Sequence, residues 1–274
     1  MAPKTKKRSV PNKEMKPTEA PQISPQLQRS TSGGSPLGRH DGISPSDQLD
    51  AGSSLEVPQA SWDTDFKAVM SEFNPSKVRS ATLLSTYASV ASSLDDDEDA
   101  VFAEGLVRLF EAVGVDPATD LVALEFAHRC GAQEMGIFRR REFIRGMASL
   151  GVDTLEGLRK KVAELRSATQ DPCKCQRLYL FSFNLALESP ARALSIEDAC
   201  SLWRLFMPSW PHLEAWTKWL NEKQSRPVSK DVWDMFWKLA MEEPEDMSTY
   251  DENLDWPSVF DNFIAHLRSL RVVA

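Results

Sequence analysis

Past Trp62, apolar residues recur three and four positions apart along most of the chain. The clearest set is Leu155, Leu158, Val162 and Leu165, a spacing that puts all four on one face of a helix. Ahead of it, Asp153 reads as the acceptor for the first-turn amides and Glu156 as the residue that reaches back, a capping-box arrangement. Similar starts stand at Ser195 with Asp198, before Cys200, Leu202, Trp203 and Leu205, and at Ser229, before Val232, Trp233, Phe236 and Trp237. The last helix is predicted to open with Pro257 in its first turn and to continue through Phe260, Phe263, Ile264 and Leu267. Gly114 and Gly151 each close a periodic stretch and precede an aspartate, Asp116 or Asp153, that is expected to cap the next helix. No alternation of period two persists over a strand's length, and no repeat of fixed period is visible. This succession of short helices predicts an all-α domain in two lobes, divided near Gln170-Asp171-Pro172, where the pattern is interrupted.

Composition divides the chain further. Of its 274 residues, 42% are hydrophobic, enough for one substantial domain plus a tail. All of the 13 Phe, 8 Trp and 3 Tyr lie after Ala60, whereas 8 of the 17 prolines lie before it, with the cluster Ser30-Thr31-Ser32-Gly33-Gly34-Ser35-Pro36. A stretch of that composition cannot bury enough apolar area to offset the entropy of ordering it, so residues 1–58 are expected to be a disordered tail and 59–274 the folded domain. The first 60 residues carry 8 basic and 6 acidic side chains, leaving 24 basic and 34 acidic for the rest. An acidic domain behind a slightly basic tail argues against general nucleic-acid binding. Within the tail, Lys4, Lys6, Lys7 and Arg8 form a short basic run that reads either as a nuclear-import signal or as ordinary solvated tail. The chain shows no apolar run of membrane-spanning length and no signal-peptide pattern, so a soluble intracellular protein is expected. Its four cysteines, Cys130, Cys173, Cys175 and Cys200, do not suggest a disulfide framework.

Charge picks out one surface. Between residues 239 and 262 there are eight carboxylates and no lysine or arginine, a field that would attract a basic partner. Asp231, Asp255 and Asp261 are candidates for such docking, although composition alone fits an ordinary solvated helix face better. Asp95-Asp96-Asp97-Glu98-Asp99 invites a calcium-loop reading, but position six from Asp95 is Ala100 rather than glycine and position twelve is Leu106 rather than glutamate. A solvated acidic loop is the better reading. Neither Cys173 with Cys175 nor His128 with Cys130 has the spacing of a four-ligand zinc set, so no metal is expected. There is no glycine-rich phosphate loop, nucleophile elbow or paired-histidine motif, which leaves an enzyme reading without residues. Trp203, Trp216, Trp219, Trp233 and Trp237 fall at helical spacing and read mostly as core.

Several motifs together resemble the defective-in-cullin-neddylation family: Met247-Ser248-Thr249-Tyr250-Asp251-Glu252, then Trp256-Pro257 and Asp261-Asn262-Phe263, with Ser229-Lys230-Asp231-Val232-Trp233 upstream. Gly114-Val115-Asp116-Pro117, Glu142-Phe143-Ile144-Arg145-Gly146-Met147 and Phe181-Ser182-Phe183-Asn184 add to the resemblance, which spans residues 103–270. It implies the potentiating-neddylation (PONY) domain, an all-helical fold with EF-hand-like elements. The stretch Ala132-Gln133-Glu134-Met135-Gly136-Ile137-Phe138, with the basic tail and no ubiquitin-binding domain, resembles the nuclear-leaning branch and implies a protein of nucleus and cytoplasm. The family's role implies a non-catalytic scaffold that needs no cofactor. It would hold a cullin and the conjugating enzyme carrying a ubiquitin-like modifier, so that the cullin lysine is modified faster. By resemblance, the cullin's basic C-terminal winged-helix subdomain would meet Asp231, Asp255 and Asp261; at Asp255 the family usually has alanine. The conjugating enzyme's acetylated N-terminal methionine would enter an apolar pocket at Leu106, Leu109, Phe110, Pro117, Val122, Phe138, Leu185, Leu202 and Leu205. Nucleic acid and membrane are not expected partners. Two readings from other classes stay open: an acidic adaptor for basic partners, and an EF-hand-type calcium sensor.

Overall fold

The computed structural model describes residues 59–73, 76–91, 100–224, 226–243 and 246–273. The tail over 1–58, its basic run at Lys4, Lys6, Lys7 and Arg8, and the acidic loop at 95–99 lie outside the described residues. All described residues belong to one compact unit spanning 52–274. In chain order the elements are α1 (Gln59–Phe73), α2 (Ser80–Val90), β1 (Ala100–Val101), α3 (Ala103–Val113), α4 (Val122–Cys130), β2 (Phe138–Arg139), α5 (Arg140–Ser149) and α6 (Leu155–Gln170). They continue with α7 (Pro172–Leu185), β3 (Ala193–Leu194), α8 (Ile196–Phe206), α9 (Leu213–Lys223), β4 (Val228–Ser229), α10 (Lys230–Glu242) and α11 (Ser258–Val273). The domain is all-α. Among the described residues no helix is long and apolar enough to cross a membrane.

The strands are two-residue ribbons, too short for an alternating pattern to register in the sequence. Each immediately precedes a helix, and they pair antiparallel, Val101 with Phe138 and Leu194 with Val228. One ribbon thereby ties the starts of α3 and α5, and the other those of α8 and α10. Helices α1 to α6 pack on one another, α7 touches α4 and α6 on one side and α10 on the other, and α8 to α11 meet through aromatic rings. The apolar core runs without a break from Trp62 to Ile264, so the two groups of helices share one interior.

Capping chemistry explains most helix starts. Ser195 Oγ accepts from the Asp198 amide at 3.0 Å, and Ser229 Oγ from the Val232 amide at 3.3 Å, as their positions predict. Asp171 accepts from the Lys174 amide at 2.9 Å and Pro172 opens α7, so the interruption near residue 170 is a tight corner between two helices. At α6 the cap is Thr154, whose Oγ1 accepts from the Gly157 amide at 3.0 Å, and not Asp153. Asp153 is buried and instead accepts from the amide and the Nε of Arg79, tying the start of α2 to that corner. Tertiary pairing of a buried carboxylate outweighs local capping there. Asp116 likewise caps only a turn, accepting from the Ala118 amide and the Thr119 hydroxyl, while Asp120 holds the Val122 amide at the start of α4.

Candidate functional site

A groove of about 760 Å³ opens between three segments distant in sequence. Gly131 (φ 67°) ends α4 in the left-handed region, and the chain then reverses through a tight turn in which Glu134 bridges Ile137 and Gly136 adopts φ 79°. That turn forms one wall. The C-terminal end of α7 with the segment that follows forms the second, and the outer face of α8 completes the groove through Asp198, Ser201 and Leu202. The apolar lining is Met135, Ile137, Leu185, Leu187 and Leu202, and Met135, at the turn, is 46% exposed. Two of the carboxylates at the groove are engaged: Glu134 by Arg139 at 2.9 Å, and Asp198 by the Ser195 hydroxyl at 2.6 Å. The volume and the mixture of apolar walls with a few polar groups suit a short apolar ligand such as a peptide end.

Of the nine residues expected at an apolar pocket, Leu185 and Leu202 line this groove. Leu109, Phe110, Val122 and Phe138 are buried in the core, where the Phe126 ring contacts both Phe110 and Phe138 edge-on. Leu106 and Leu205 are half-buried against that core, and Pro117 is exposed. The turn carrying Met135 and Ile137 was not among the expected residues; its glycine pair, Gly131 and Gly136, is the local signal that marks it.

The acidic surface is built around the starts of α10 and α11. Asp231 lies exposed in the first turn of α10, where the helix dipole favours a carboxylate. Asp255 is exposed in the loop before α11, and Asp261 is half-buried in the first turn of that helix. Tyr250 donates its hydroxyl to Asp261 Oδ1 at 2.7 Å. Its ring stacks on Trp256 at 5.4 Å, and Trp256 in turn meets Phe260 edge-on. Burial pushes the Tyr250 phenol up, and the Asp261 carboxylate and neighbouring acids add to it, so it remains a donor. Asp251 accepts from the backbone amide and side-chain amide of Asn253, which hold its carboxyl below the usual range. The stretch is not free of cations in space, as its sequence implied. Arg268, about three turns along α11, pairs with Glu252, and Lys238 lies over the Trp256 ring at 5.3 Å. Met241 and Leu254, 51% and 56% exposed, add apolar area beside the carboxylates.

Among the described residues no three His, Cys, Asp or Glu side chains are grouped to hold a metal ion. All four cysteines are free; burial pushes the thiols of Cys130 and Cys175 up, and that of Cys200 up to about 11.

Comparison with known proteins places these features in a family. Residues 157–266 match the family described as Cullin binding. DCN1-like protein 4 of Danio rerio is 32% identical over 168 residues, 61% of this chain and 60% of that protein. DCN1-like protein 5 of Homo sapiens is 30% identical over 168 residues, 61% of this chain and 70% of that protein. Defective in cullin neddylation protein 1 of Yarrowia lipolytica is 30% identical over 176 residues, covering 63% and 73% respectively. The chain thus spans about 60% of the length of the DCN1-like protein 4 it matches. The matched segment includes Asp231, Asp255 and Asp261 and the two sides of the groove formed by α7 and α8, and on this identity the chain belongs to the defective-in-cullin-neddylation, DCN1-like family.

Proposed function

We propose that the chain is a non-catalytic cofactor of cullin neddylation, working by position. Its acidic surface at Asp231, Asp255 and Asp261 would receive the basic C-terminal winged-helix subdomain of a cullin. The groove between α7, α8 and the Met135 turn would hold the acetylated N-terminal methionine of the conjugating enzyme. Bringing the two partners together turns an encounter into a near-intramolecular transfer, and proximity of that kind is worth several kcal/mol. The observation that carries this reading is that the segment matched to the Cullin binding family contains all three carboxylates. For the groove, the support is chemical. Its walls at Met135, Ile137, Leu185, Leu187 and Leu202 are apolar, so an acetylated end, which lacks the ammonium charge, is the cheaper one to desolvate there. The basic run at Lys4, Lys6, Lys7 and Arg8 supports residence in the nucleus as well as the cytoplasm.

The test is a peptide pair with the conjugating enzyme's first residues, identical except for the N-terminal acetyl group, titrated against the full chain by fluorescence anisotropy. The acetylated peptide binds at least about tenfold more tightly, since burying an unpaired ammonium costs well over the 1.4 kcal/mol of a tenfold change. Met135→Glu removes that preference. Equal affinity for the two peptides would refute the groove assignment.

A further inference from the structure

Of the three carboxylates assigned to cullin docking, Asp261 is held differently from the others. Among the described residues, Asp231 and Asp255 make no side-chain hydrogen bond or ion pair, whereas Asp261 accepts from Tyr250 at 2.7 Å. Tyr250 is only 5% exposed whereas Asp261 is half-buried, so a buried hydroxyl holds a carboxylate that still reaches the surface. The loop is shaped to bring it there. Met247 is buried in the left-handed region at φ 53°, an uncommon conformation for a residue with a side chain, and the chain then turns so that Tyr250 stacks on Trp256 beneath the start of α11.

We infer that Tyr250 is a positioning residue for docking: its hydroxyl fixes one oxygen of Asp261 and so presents the other, preorganised, to a lysine or arginine of the cullin surface. The inference rests on the cullin reading proposed above. A half-buried aspartate without this bond samples several rotamers and must be ordered on binding, which weakens association several-fold. The alternative is that Tyr250 serves only the core, through its ring. Phenylalanine keeps the ring and its stacking on Trp256, so Tyr250→Phe separates the two roles.

The experiment is a double-mutant cycle with the full-length chain and an isolated cullin C-terminal winged-helix subdomain as probe, read by calorimetry at several salt concentrations. The expected result has three parts. Tyr250→Phe weakens binding about three- to tenfold with the salt dependence unchanged, because no charge is lost. Asp261→Asn weakens it further and flattens the salt dependence. The double variant binds no more weakly than Asp261→Asn alone, because the hydroxyl acts through that carboxylate. Wild-type affinity in Tyr250→Phe would overturn the inference, as would a loss that adds in full to that of Asp261→Asn. If the wild-type chain does not bind the subdomain at all, the cullin reading itself falls and takes this inference with it. That case is recognised by Asp261→Asn being indistinguishable from wild type.

Discussion

Tyr179→Phe removes one oxygen from the point where the two groups of helices join. The Tyr179 hydroxyl donates to the Trp233 carbonyl at 2.8 Å and accepts from Trp203 Nε1 at 2.9 Å, while Trp233 Nε1 donates back to the Tyr179 carbonyl at 3.1 Å. These three residues, from α7, α8 and α10, are fully buried, and Tyr179 stacks on Trp233 at 4.3 Å. Phenylalanine preserves the stacking and leaves Trp203 Nε1 without an acceptor in a site closed to water. An orphaned buried donor costs about 1–3 kcal/mol. The Trp233 carbonyl loses its second donor while keeping its helical bond, adding roughly 1 kcal/mol. The expected loss is about 3 kcal/mol, or about 6–12 °C in Tm for a domain of this size. Differential scanning calorimetry measures it. A change within about 0.5 kcal/mol of wild type would show that the network does not carry the junction.

Other outcomes follow from the same packing and charge. A Cβ on Gly146 would lie 2.3 Å from Cys130 Sγ, so Gly146→Ala lowers stability by about 1–3 kcal/mol in chemical denaturation, and Cys130→Ala partly restores it; additive losses would contradict the close contact. Burial raises the Glu125 carboxyl, but His128 at 3.6 Å and Arg129 at 2.8 Å outweigh it and leave it lowered in the fold. Its ionised form therefore favours folding above its unfolded pKa, and that contribution disappears as pH falls through the folded value. Wild type consequently loses more stability than Glu125→Gln between neutral pH and about pH 3 in urea melts, and parallel pH profiles would refute the pairing. Replacing Lys4, Lys6, Lys7 and Arg8 by alanine shifts a fluorescent fusion of the full chain from nucleus to cytoplasm; an unchanged distribution would exclude the import role.

Local rules carried the helices further than they carried the sites. The Leu155, Leu158, Val162 and Leu165 stripe is the inward face of α6, and the Ser195 and Ser229 caps sit where short polar side chains next to apolar periods place them. Local reasoning failed where a distant partner competed, as at Asp153, which Arg79 captures across 74 positions. The ribbons at Val101 and Leu194 escaped notice because two residues cannot establish a period. The groove combines a turn, a helix end and a helix face, so nothing within any one segment marks it; only Leu185 and Leu202 of its lining were foreseen, through resemblance. Charge located the acidic surface, yet Tyr250 holding Asp261 and Arg268 pairing with Glu252 depend on how α11 folds back on the loop.

The most direct test of the proposed role is the rate of modifier transfer from its conjugating enzyme to a cullin, measured with and without the full chain and with Asp261→Arg as the control. Acceleration by the wild-type chain and none by the folded variant is the predicted result. A rate unchanged by the wild-type chain would contradict the cofactor role and leave the acidic surface as a docking site for other basic partners.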